Sequence, residues 1–207
     1  MLATMKIGLF GSGKMGKMVA QIAPELGHSI SDLKDVDVYI DFSHASTLLD
    51  HVQWAIHHQK PMIIGTTGWD EQLTHVKEMI EKSEIAALAA PNFSLGMAYF
   101  IKLLRQARTL FSDYEIAGVE YHHSQKKDSP SGTAHSIAQA LEMTIPFTSV
   151  RCGRIPGKHV VIFDSPLDSI SFVHEAHSRE GFARGALKSA EWILGKKGWY
   201  TLDDMLM

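Results

Sequence analysis

Through the first half of the chain, short apolar runs alternate with amphipathic stretches, and glycine, serine or proline closes most of the runs. Lys6–Phe10 reads as a buried strand, followed by a glycine turn and a helical stretch to about Leu26. Residues 37–42 form the next apolar run, after which Leu48, Leu49, Val52, Ala55 and Ile56 fall on one helical face. A strand over residues 61–64, a helix over 70–83 and a strand over 85–90 continue the alternation. This pattern predicts a parallel sheet covered on both faces. Beyond Pro91, Met97, Phe100, Ile101, Leu104, Ala107 and Phe111 mark a long helix. Strands follow at 115–122, 149–153, 159–163 and 170–176, with a helix over 131–143 between the first two. In the last of these strands Ile170, Phe172, His174 and Ala176 share a face. Such late strands predict a mixed or antiparallel sheet, so a domain boundary is placed near Ser94. A final helix over about 181–194 precedes a tail with Asp203, Asp204 and Met205. No internal repeat, charge block or low-complexity linker interrupts the chain.

Composition narrows the class without changing it. The 207 residues, 45% hydrophobic and 21% charged, suffice for one compact domain or two small ones, and exclude a repeat array or a disulfide-stapled miniprotein. The formal charge of -3 provides no basic field for nucleic acid or an anionic membrane, so any anionic ligand needs a local site. A lone cysteine, Cys152, makes neither an intramolecular disulfide nor a multi-thiolate metal centre. Residues 1–6 lack the pattern of a leader peptide, and no apolar run approaches the roughly 18 to 20 residues that span a bilayer. A cytoplasmic location is expected.

Candidate chemistry gathers in four places. Gly11, Gly13 and Gly16, with Ser12, Lys14 and Met15 between them, satisfy G-x-G-x-x-G directly after a strand and before a helix, the context of a dinucleotide site. Gly65-Thr66-Thr67-Gly68 and Ala90-Pro91-Asn92-Phe93-Ser94 follow later strands, where ligands bind in open α/β sheets. The densest polar cluster runs from Glu120 to Thr133. There His122, His123 and Lys126 offer a group titrating near neutrality beside a cation, and Ser131-Gly132-Thr133 opens a helix whose N–H groups suit a carboxylate. The same stretch also fits a polar loop with Ser131 as a plain N-cap. None of the twelve histidines falls in H-E-x-x-H or Cys/His zinc spacing, so no metal is expected.

These segments resemble the 4-hydroxy-tetrahydrodipicolinate (dihydrodipicolinate) reductase family. The likeness rests on the glycine loop, Asp41-Phe42-Ser43, Gly65-Thr66-Thr67-Gly68, Asn92-Phe93-Ser94 and above all the Glu120–Thr133 block. It continues through Arg151-Cys152-Gly153, Gly157-Lys158-His159, Ser178-Arg179 and Phe182-Ala183-Arg184-Gly185-Ala186. The resemblance implies an α/β fold: a Rossmann-type nucleotide-binding domain, residues 1–93 plus 180–207, with an inserted α+β substrate and oligomerisation domain, residues 94–179. It implies His122 and Lys126 as catalytic groups, and His123, Gly132 and Thr133 as binders of a small dicarboxylate substrate. Gly11, Ser12, Gly13, Lys14, Met15, Gly16, Gly65, Thr66, Thr67, Ala90, Pro91, Asn92 and Phe93 would contact NADPH or NADH. A homotetramer built through the second domain's sheet is implied as well. The family usually has a longer segment between the glycine loop and Asp37, with a second strand and an acidic residue at the adenosine ribose. Here residues 27–36 fill that place, His28-Ser29-Ile30 reads as a remnant strand, and although Asp35 or Asp37 falls near the spacing of the ribose acid, the match of Asp35 is accidental under this resemblance. Two other readings stay open at this point: a semialdehyde dehydrogenase using Cys152 as nucleophile, and a nucleotide-binding module without catalysis.

Overall fold

A computed structural model describes residues 4–207; Met1–Ala3, part of the segment read for a leader, lie outside the described residues. The elements are, in order, β1 (Lys6–Phe10), α1 (Lys14–Ile22), β2 (Ser29–Ile30), β3 (Val38–Asp41), α2 (Leu48–His57), β4 (Met62–Ile64), α3 (Leu73–Glu81) and β5 (Ala86–Ala89). Then come α4 (Leu95–Leu110), β6 (Glu115–His122), α5 (Gly132–Ala140), β7 (Phe147–Arg151), β8 (Lys158–Asp164) and β9 (Ser169–Glu175). The chain closes with α6 (Glu180–Ile193), β10 (Gly198–Tyr200) and α7 (Leu202–Met205). It divides into two compact units: one runs to Ser94 and resumes with Glu180–Met207, and the other is Leu95–Arg179.

The first unit holds a six-stranded sheet of order β10-β5-β4-β3-β1-β2, parallel throughout. Its middle strands β3 and β4 are buried at every position, which is why they read as unbroken apolar runs. On one side Leu48, Val52, Val76 and Ile80 join Tyr39, Met62 and Ile64 in the core. Helix α6 brings the chain end back against α1 and strands β3 to β5. The small residues Ala183, Gly185, Ala186, Ser189 and Ala190 on its buried face permit that close approach. The tail expected after this helix instead contains β10, paired with β5, and the α7 turn. Three residues are too few to show alternation, whereas the α7 start carries a capping box of Thr201 and Asp204.

The second unit holds a four-stranded mixed sheet of order β7-β6-β8-β9, in which β6 pairs parallel with β7 and antiparallel with β8. Strand β6 alternates strictly, with Ile116, Gly118, Glu120 and His122 buried. Helices α4 and α5 contribute Met97, Phe100, Leu104 and Ile137 to the core over Val161 and Phe163, and Leu141, capping the α5 end, joins them. Strand β7 begins two residues earlier than the apolar pattern indicates and ends at Arg151. Helix α5 stops at Ala140, and Glu142 beyond it takes a positive φ that a continuing helix does not allow. No helix of the described residues is long and apolar enough to cross a membrane.

Candidate functional site

The glycine loop is shaped as an anion cradle. Gly11 sits at φ +97, and a Cβ on Gly16 would overlap the Gly11 carbonyl oxygen, so the start of α1 lies against the turn as only glycine permits. Nothing stands within 4 Å of where a Gly13 Cβ would be, leaving the backbone open to a ligand. Gly13 is also the N-cap of α1, which has no side-chain cap and no acidic residue in its first turn, so its leading N–H groups and dipole face outward. Ser12 and Lys14 are exposed beside it, with Met15 partly covered. This cradle fits a dinucleotide pyrophosphate.

The next two loops are placed by a buried carboxylate. Asp41, fully buried at the end of β3, accepts hydrogen bonds on Oδ1 from Ser43 N (2.8 Å), Ser43 Oγ (2.6 Å) and Thr66 Oγ1 (2.6 Å). Its Oδ2 lies 2.7 Å from His51 Nδ1. Thr66 therefore turns its hydroxyl inward, while Gly65 and Thr67 remain at least partly accessible. After β5, Ala90 and Phe93 are buried, Pro91 is exposed, and Asn92 accepts from Ser94 N at 2.8 Å. Asp35 and Asp37 are tied to β1 instead of facing the loop: Lys6 Nζ lies 2.7 Å from Asp35, and Lys6 N donates to Asp37.

In the second unit the sheet register assembles a polar row. Glu120 is paired with Ser149 on β7 and His159 on β8, and His159 with His174 on β9; one step along, His122 is paired with Arg151. Glu120 is fully buried. Its Oε1 accepts from Ser149 Oγ (2.7 Å), Arg151 Nη2 (2.9 Å) and Ser131 N (3.0 Å). Burial opposes its ionisation, but the bonds from Ser131, Ser149 and Arg151 prevail and hold the carboxyl at about 2. Its Oε2 lies 3.6 Å from both His122 Nδ1 and His159 Nε2. Burial pushes the His122 imidazole below its usual value; Glu120 and Asp128 oppose that shift, while Lys126 and Arg151 add to it. His159 is driven further, to about 4, by burial and by His122.

The expected catalytic and carboxylate-binding residues come from the turn that follows. Lys126 Nζ pairs with Asp128 Oδ1 at 2.8 Å, and the other Asp128 oxygen receives the Gly132 N–H at 3.3 Å. Ser131 caps α5 by accepting from Ala134 N, and among the described residues the Thr133 N–H has no hydrogen-bond partner. His123 and Thr133 are partly exposed and Gly132 exposed. The end of β6 and this turn thus combine a cation, two imidazoles and a helix N-terminus, a set able to hold a carboxylate and move a proton. Arg151, His159 and Asp41 carry no role in the sequence reading, because cross-strand register brings the first two to Glu120 and burial at a strand end selects the third. The donors of Glu120, His122 and His159 lie within 4.8 Å of one another, a spacing a divalent cation could bridge. The Arg151 guanidinium already supplies positive charge to that carboxylate. Cys152 is exposed beyond β7, its backbone N–H donating to the His122 carbonyl.

Comparison with known proteins gives a consistent result. A family model described as dihydrodipicolinate reductase, C-terminus, matches residues 96–206, and one described as dihydrodipicolinate reductase, N-terminus, matches residues 24–93. The 4-hydroxy-tetrahydrodipicolinate reductase of Christiangramia forsetii is 34% identical over 233 aligned residues, covering 98% of each chain. That of Thermosipho africanus is 36% identical over 213, again covering 98% of each. Among solved structures, the dipicolinate-bound dihydrodipicolinate reductase from Paenisporosarcina sp. TG-14 shares the fold with a TM-score of 0.82 at 21% identity, over 98% of this chain and all of that one.

Proposed function

The chain belongs to the dihydrodipicolinate reductase family and is an NAD(P)H-dependent oxidoreductase of lysine and diaminopimelate biosynthesis; we propose that it reduces (2S,4S)-4-hydroxy-2,3,4,5-tetrahydrodipicolinate to tetrahydrodipicolinate with His122 and Lys126 as its proton-handling groups. The Gly11–Gly16 loop holds the cofactor's pyrophosphate, and residues of the Gly65–Thr67 and Ala90–Phe93 loops border it. When bound, a reduced nicotinamide, from NADH or NADPH, supplies the hydride.

Loss of the 4-hydroxyl with a neighbouring ring hydrogen, as water, leaves a conjugated imine, and hydride addition to it places negative charge on the ring that a proton must quench. Lys126 donates that proton, and His122 beside it stabilises the charge and exchanges a proton at its ring nitrogen. His123 and the unpartnered Thr133 N–H receive the substrate's carboxylates at the α5 N-terminus, joined by the Gly132 N–H when substrate displaces the Asp128 oxygen from its 3.3 Å contact. The observation that carries this reading is the Asp128 bridge, one oxygen on Lys126 Nζ and the other on Gly132 N. It ties the proton donor to the anion-binding helix end. The protein acts in the cytoplasm as a homo-oligomer, a tetramer joined through the second unit's sheet, where Val173 lies more than half exposed. Replacing Lys126 by Ala tests the assignment: turnover falls by about a hundredfold or more while NADH or NADPH affinity stays within twofold, a general-acid loss of the usual size. Equal loss of turnover and cofactor binding would refute it.

A further inference from the structure

Glu120 is the most deeply buried charged group of the second unit, and its two oxygens do different work. Oε1 is saturated by three donors from two parts of the fold: Ser149 and Arg151 on β7, and the Ser131 backbone N–H just before α5. Oε2 is buried with no hydrogen-bond partner among the described residues, and His122 Nδ1, 3.6 Å away, is likewise buried and unpartnered. His159 Nε2 stands at the same distance. His159 Nε2, however, already has a partner in Ser131 Oγ at 3.3 Å, the imidazole tautomer deciding which of the two donates, while Ser131 Oγ also accepts from Ala134 N. That leaves Oε2 to the His122 ring, whose Nε2 lies on the side of Gly157, where a Cβ would stand 3.2 Å away.

We propose that Glu120 is a positioning residue: its Oε2 holds the His122 proton on Nδ1, leaving Nε2 as the atom that exchanges protons with the substrate, while its Oε1 locks that ring to the α5 end through Ser131. The inference rests on His122 acting in the reaction described above. A long contact in the absence of ligand accords with catalytic hydrogen bonds that tighten only when substrate is bound. A carboxylate behind an imidazole selects its tautomer and stabilises the imidazolium when it forms. Glu120, Lys126, Asp128, Arg151 and His159 are the charged and titratable groups that act on or touch this ring, and of these Glu120 is the one with a free acceptor aimed at Nδ1.

The test uses the full chain labelled with 15N-histidine, with the His122 signals identified by their loss in His122→Gln. In the wild-type protein at neutral pH the ring carries its proton on Nδ1. In Glu120→Gln the donors from Ser131, Ser149 and Arg151 keep the amide oxygen at the Oε1 position, so the amide NH2 faces Nδ1 and the proton moves to Nε2. Turnover then falls by about a hundredfold or more, the usual size of a lost acid–base contribution, with KM changed less than about threefold. A wild-type ring protonated on Nε2 overturns the proposal without any variant. So does a Glu120→Gln protein with a switched tautomer and undiminished turnover. The tautomer is read without substrate, so failure of the wild-type enzyme to turn over would count against the reaction and not against the tautomer assignment.

Discussion

Replacing His159 by Gln flattens the dependence of stability on pH. His159 is a buried residue of β8, and burial together with the neighbouring His122 lowers its imidazole from 6.5 to about 4, Glu120 pulling the other way. In the unfolded chain this ring takes up a proton near pH 6.5, whereas the native ring stays neutral until about pH 4. Between these values the unfolded state binds one proton more than the native state, so stability is fully present above about 6.5 and declines as pH falls. The slope is about 1.4 kcal/mol per pH unit, and over the interval the loss reaches about 3 kcal/mol. Glutamine fills similar space, offers Ser131 a polar partner and has no proton to take up. The four tryptophans, Trp54, Trp69, Trp192 and Trp199, all lie in the first unit and cannot report this event. Hydrogen exchange of the β6 and β8 amides, corrected for the intrinsic pH dependence of exchange, measures it in the second unit directly. The wild-type protein loses about 3 kcal/mol more than the variant between pH 6.5 and 4. Parallel curves for the two proteins would refute the argument that burial keeps His159 neutral.

Two further substitutions probe the first unit. Gly16→Ala drives a methyl into the Gly11 carbonyl, so the loop must shift: stability drops by about 1 to 3 kcal/mol and NADH and NADPH affinity falls at least tenfold, read by denaturant unfolding and fluorescence titration. Affinity equal to wild type would contradict the cradle. Asp41→Ala leaves the Thr66 and Ser43 hydroxyls without their shared acceptor, the Ser43 N–H keeping only Thr66 Oγ1, and costs about 3 kcal/mol; the tryptophan fluorescence of this unit reports the unfolding, and a loss below about 1 kcal/mol would show that the two loops are held otherwise.

What the chain announces in sequence depends on how local the underlying physics is. Strands β3, β4 and β5 are legible because a parallel strand buried on both faces must be apolar at nearly every position. The glycine loop is legible because the close approach of Gly16 to Gly11 takes place within six residues. The capped start of α5 is readable for the same reason, since Ser131 reaches only to Ala134. Strand β10 is not legible: its three half-buried residues owe their conformation to pairing with the β5 edge, not to any pattern of their own. The Glu120 cluster is hidden differently. Alternation along β6 puts Glu120 and His122 on one face, but only the register of β7 and β8 brings Arg151 and His159 to the same carboxylate. A search for metal-ligand spacing along the chain passes over that grouping entirely.

Reduced-nicotinamide absorbance is followed with the purified protein, NADH and NADPH in separate runs, on adding substrate freshly generated by condensation of pyruvate with aspartate semialdehyde. Oxidation is expected to require substrate, to proceed with at least one of the two cofactors, and to disappear in Lys126→Ala. Folded protein that binds a cofactor yet oxidises neither in the presence of substrate would contradict the assigned reaction.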